Sequence, residues 1–115
     1  MNSGQQKVYL GCPYTHENVH VRAHRFKKVS KYAAEIMAQG HLVFSPISHS
    51  HQICVEADLP IDFEFWQELD NSFLEWCTVM MVLKLPGWEE SKGLEAEIKI
   101  AEFMGKEVIY VEYEE

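Results

Sequence analysis

Two carboxylates stand where apolar side chains belong. In the stretch from Gly93 to Met104 the positions recurring at helical spacing are Leu94, Glu97, Ile98, Ala101 and Met104, so Glu97 falls on the face that should turn inward. Asp70 comes one turn after Trp66 and one turn before Phe73 and Leu74, bordering another inward face. An ionised carboxylate buried without a partner costs several kcal/mol, against a total stability of about 5–15 kcal/mol, so such a residue is paired, protonated or used. Two carboxyls in unlike surroundings suit substitution at an anomeric carbon, one as nucleophile and the other as acid, then base. Structural roles stand beside this reading: an ion pair of Glu97 with Arg22 or Arg25, and for Asp70 a hydrogen bond to Tyr14 or to backbone.

Other residues are placed to serve a ligand. Arg22 begins a long helical stripe, where its guanidinium could reach a phosphate or a catalytic carboxylate, or simply lie along the surface. Ser91 precedes Gly93 at a helix start, where a hydroxyl caps the helix and free N–H groups can face an anion. Tyr14 and Trp88 are suitable aromatic walls for a planar base. In Ser48-His49-Ser50-His51, with Cys54 nearby, alternate residues of an extended segment would point the same way. Two histidines without a third ligand at recognisable spacing read as loop residues lining a pocket, so neither a metal nor a cofactor is expected.

Positioning these groups calls for alternating strands and helices. The patterns predict strands over 7–12, 41–44, 78–85 and 106–113, and helices over 17–39, 60–76 and 93–104, with a polar, histidine-bearing loop over 47–59. Near-continuous apolar strands with short connections imply a flavodoxin-like (Rossmannoid) α/β fold, a parallel sheet of four to five strands with helices on both faces. The C-terminal ends of such strands share one edge, so Pro13-Tyr14, Ser45-Pro46 and the loop from Trp88 to Gly93 should converge there.

At 115 residues this reads as one domain, residues 1–115, able to bury a single core. A net charge of -8, with Arg25-Phe26-Lys27-Lys28 the one short basic patch, argues against a duplex nucleic-acid surface. Cys12, Cys54 and Cys77 match no zinc spacing and leave at least one thiol unpaired, as in a reducing cytoplasm. The polar start Met1 to Lys7 carries no apolar signal stretch, and no window is long enough to span a bilayer, so the expectation is a cytoplasmic protein with no membrane partner.

Several segments together resemble a known family: Val8-Tyr9-Leu10-Gly11-Cys12-Pro13-Tyr14-Thr15, Val43-Phe44-Ser45-Pro46-Ile47-Ser48-His49, Phe65-Trp66 with Asp70, and Leu85-Pro86-Gly87-Trp88-Glu89-Glu90-Ser91-Lys92-Gly93 leading to Glu97. They are similar to a small bacterial and phage family grouped with the nucleoside 2-deoxyribosyltransferase-like proteins. The resemblance implies a homodimer or larger homo-oligomer acting on a small-molecule nucleoside or nucleotide. It assigns Glu97 as nucleophile at C1', Asp70 as acid and base, Tyr14 and Ser91 as ligand-lining, and Gly93 as a point of close backbone approach. Ser45, His49 and Arg22 join the substrate-binding set. Two departures from the family pattern are Thr78, where many relatives have aspartate, and Glu89-Glu90-Ser91 in the acidic loop. The expected function is cleavage or transfer at an N-glycosidic bond, with a non-catalytic nucleotide-binding or sensor module as the rival.

Overall fold

The computed structural model describes residues 4–113. The elements run β1 (Lys7–Gly11), α1 (Val19–Ala38), β2 (Leu42–Phe44), α2 (Pro46–Ala57), α3 (Phe63–Trp76), β3 (Val79–Lys84), a 3-10 turn (Trp88–Glu90), α4 (Lys92–Phe103) and β4 (Glu107–Glu112). All strand pairings are parallel, in the order β2-β1-β3-β4, and β1 at the centre sets Val8 beside both Val43 and Val79. This is the expected flavodoxin-like α/β architecture, realised with four strands.

Strand alternation divides the core in two. Val8, Leu10 and Cys12 join Val29, Ala33 and Ile36 of α1 on one face. Tyr9 points to the other face, among Leu74 of α3 and Leu94 and Ala101 of α4. Because both faces of β1 are covered, its sequence reads as one apolar run instead of alternating with polar residues. Gly11 continues the Tyr9 side: a Cβ there would stand 3.0 Å from both Leu94 Cδ1 and Met80 Cε, so its lack of a side chain lets α4 lie close over the central strand. Thr78 ties the opposite ends of β1 and β3, its Oγ1 accepting from Lys7 N at 2.9 Å and donating to Gln6 Oε1 at 2.8 Å. Among the described residues no helix is long and apolar enough to cross a membrane.

One element departs from expectation. Residues 46–57, expected to be largely loop, form α2, packed on α1. Ser45 caps it, its hydroxyl accepting from Ser48 N at 3.1 Å, and Pro46 occupies the first turn, where its missing N–H costs nothing. Its buried side chains are Pro46, Ile47, Ser50, His51 and Cys54, a helical spacing carried by small and polar residues, to which a search for hydrophobic periodicity is insensitive. Asp58 ends the helix with φ at +52°.

Candidate functional site

The site lies at the C-terminal edge of the sheet, where the loops after β1, β2 and β3 meet. After β3 the chain turns at Gly87 (φ +92°), makes the 3-10 turn, and enters α4 through Ser91, whose hydroxyl accepts from Leu94 N at 3.3 Å. The backbone angle favours glycine there, and a Cβ would lie 2.6 Å from Arg25 Nη2, so any side chain would also push the end of Arg25 from its place. The Arg25 guanidinium, 9% exposed, staples this loop to the one after β1 by donating to Tyr14 O (3.3 Å), Thr15 O (3.4 Å) and Pro86 O (3.1 Å). Between these loops, α2 and α3 a cleft encloses about 510 Å³ of empty space, counted out to open solvent.

Asp70 and Glu97 both line this cleft, and both are buried, at 5% and 4% exposure. Their partners differ. Tyr9 Oη, from the fully buried face of β1, donates to Glu97 Oε2. Asp70 Oδ1 has no hydrogen-bond partner among the described residues. Burial pushes the Asp70 carboxyl up to about 7. Burial also pushes Glu97 up to about 8, with the Tyr9 bond opposing and the Asp70 charge adding. Tyr9 itself is held well above its ordinary value by burial, reinforced by the negative charge of Glu97 and Asp70.

Of the residues singled out in the sequence, Tyr14, Asp70, Ser91, Gly93 and Glu97 are brought together around the cleft. Neither arginine pairs with Glu97: Arg22 donates to His16 O and Arg25 to the three carbonyls above. Four candidates fall outside the lining. Ser45 is spent on the α2 cap. Trp88 packs on Tyr110 at 5.7 Å between centroids and beneath Lys84, over β3 and β4. His49 lies against the Phe44 ring at 5.6 Å. Helix geometry explains its loss, since residues two apart on a helix point about 200° apart, whereas in an extended segment they would share a direction. Arg22 stands behind Tyr14 rather than on the cleft wall.

The model of a domain family described as "Domain of unknown function (DUF1937)" matches residues 6–114. The chain belongs to that family. No curated protein matches it. Every element from β1 to β4 lies inside the DUF1937 match, and so does every residue lining the cleft.

Two residues at or beside the cleft, Tyr9 and Trp66, were not among the candidates from the sequence, and of the two histidines read there as pocket-lining only His51 stands beside it. Tyr9 reads as one apolar residue of a buried strand, and only the sheet's alternation turns its hydroxyl toward α4. Trp66 takes the place on the wall expected of Trp88, its indole N–H donating to Pro60 O at 2.8 Å. His51, not His49, stands next to the cleft, with Nδ1 2.6 Å from Tyr14 Oη. Among the described residues no group of three or more His, Cys, Asp or Glu side chains is placed to hold a metal ion.

Proposed function

We propose that the cleft binds a nucleoside or nucleoside 5'-monophosphate and that Glu97 and Asp70 cleave or transfer its N-glycosidic bond. One observation carries this reading: two buried carboxyls line one cleft, Glu97 holding a hydrogen-bond donor and Asp70 Oδ1 having none among the described residues. Raised to about 8 and about 7, the pair retains protons near neutrality. By those values Glu97 holds its proton more tightly than Asp70; the Tyr9 hydroxyl works against that order by stabilising negative charge on Glu97, toward the arrangement the reaction needs, with Glu97 the anion and Asp70 the acid.

In that arrangement a Glu97 carboxylate oxygen attacks C1', forming an acylal ester as the C1'–N bond breaks, and Asp70 gives its proton to the departing base. In the second half Asp70, now a carboxylate, takes a proton from water or from an incoming base. That nucleophile attacks C1' and frees Glu97, and two inversions give net retention. Tyr14 and Trp66 bound the base and sugar, and Ser91 with the first turn of α4 faces the 5' end. Thr78, one of the two departures from the transferase-like pattern, ties strand starts at the opposite edge of the sheet and takes no part in this scheme.

The test is a panel of nucleosides and 5'-monophosphates, with and without free bases, incubated with the protein and with Glu97→Ala and analysed by chromatography. Release or exchange of base that is lost in Glu97→Ala is the expected result, and a requirement for added base identifies a transferase. Thermal stabilisation by a nucleotide with no base released on long incubation would replace this reading with that of a nucleotide sensor.

A further inference from the structure

Tyr14 is half-buried on the cleft wall, and its hydroxyl is engaged from behind. His51 Nδ1 lies 2.6 Å from Tyr14 Oη. The imidazole, 7% exposed, stacks on Phe26 at 4.5 Å between centroids with 23° between planes, and receives Tyr14 edge-on at 5.5 Å. Its orientation is therefore fixed by packing. Arg22 faces both groups. Burial and then the Arg22 charge push the His51 pKa down, so the ring is neutral and carries one proton. Burial raises the Tyr14 pKa, and the Arg22 charge opposes it. A phenol donates more readily than it accepts and a neutral imidazole nitrogen is a strong acceptor, while the nearby guanidinium charge draws the oxygen lone pairs toward Arg22, so the phenolic proton turns to the imidazole.

We infer that His51 is a positioning residue: its Nδ1 accepts the Tyr14 proton, and Tyr14 meets its ligand as a hydrogen-bond acceptor. The wall at Tyr14 then selects a ligand that offers a donor there, a sugar hydroxyl or an exocyclic amino group, and turns away an anionic oxygen. The choice of ligand rests on the nucleotide reading above, whereas the direction of the hydrogen bond does not. No part of the arrangement uses the two carboxyls, so it adds selection to the chemistry rather than repeating it.

Long-range 1H–15N NMR of the full chain reads the His51 tautomer directly. The expected spectrum has the proton on Nε2 and an unprotonated Nδ1 whose shift moves in Tyr14→Phe; a proton on Nδ1 overturns the inference. His51→Phe keeps the stack on Phe26 and removes the acceptor, while His51→Asn returns an acceptor near the Nδ1 position. With 2'-deoxyadenosine and its 5'-monophosphate as probes, His51→Phe is expected to raise KM about tenfold, the scale of one hydrogen bond, with kcat little changed and partial recovery in His51→Asn. Unchanged KM, or equal loss in both variants, counts against the role. Should neither probe bind the unaltered protein, the nucleotide reading loses support while the tautomer still decides the hydrogen bond. Should His51→Phe fail to fold, the spectrum of the unaltered protein decides alone.

Discussion

Glu97 and Asp70 make the stability of this domain depend on pH in a defined direction. Each carboxyl holds its proton more tightly in the folded chain, from 4.5 to about 8 for Glu97 and from 3.8 to about 7 for Asp70. Between those values the folded state carries more protons than the unfolded one, so their contribution is whole at acid pH and declines as pH rises through the window. Urea unfolding across pH 4–8 is expected to show a smaller decline for Glu97→Gln than for the unaltered protein; parallel curves would mean that Glu97 is not held protonated by burial. Tyr9→Phe removes the one interaction that lowers the Glu97 pKa, so the pH at which Glu97 ionises should climb further, moving the acid limb of any turnover upward. An unmoved limb would detach Tyr9 from the chemistry. The two carboxyls were legible in the sequence because charge on an apolar stripe is a local signal. Tyr9 was not, because its hydroxyl acquires meaning only from an acid that is 88 residues away.

At the scale of elements, strands and long helices followed their patterns and α2 did not. The signals for α2 were present as punctuation, Ser45 before Pro46, and absent as hydrophobicity, since its inward face is built from Ile47, Ser50, His51 and Cys54. Misreading it as a loop also chose the wrong histidine, a single error of local geometry with a consequence at the site. Ser45→Ala should lower stability by about 1 kcal/mol through loss of the cap, measured by chemical denaturation. An unchanged midpoint would show that tertiary packing alone sets the start of α2. Gly87→Ala is expected to be worse, because a side chain at φ +92° adds about 1–2 kcal/mol of strain before the encounter with Arg25. The same variant should loosen the loop that leads into Ser91, so ligand-induced thermal stabilisation should shrink with it. Full ligand response in Gly87→Ala would separate the loop from the site.

The whole molecule has the parallel order β2-β1-β3-β4 that the alternation of elements implied, and the edge of the sheet gathers residues from every third of the chain. The exposed faces hold more than solvent-facing polar groups: Ile109 and Tyr110 of the edge strand β4 are 39% and 45% exposed. Assembly of two copies, as the family resemblance implies, predicts a light-scattering mass of twice 13.4 kDa, and a mass of 13.4 kDa at working concentration would remove that expectation. The pairing of β1 with β3, Val8 beside Val79, has a further consequence in time. The β1–β3 ladder must bring together residues some seventy apart, an entropic step that the β1–β2 ladder and the helices between them shorten only in part. Glu97 emerges from the ribosome later still, so a nascent chain has no half-formed site to offer: ligand affinity should arise in one step with the sheet, and in refolding it should keep pace with the slowest structural probe.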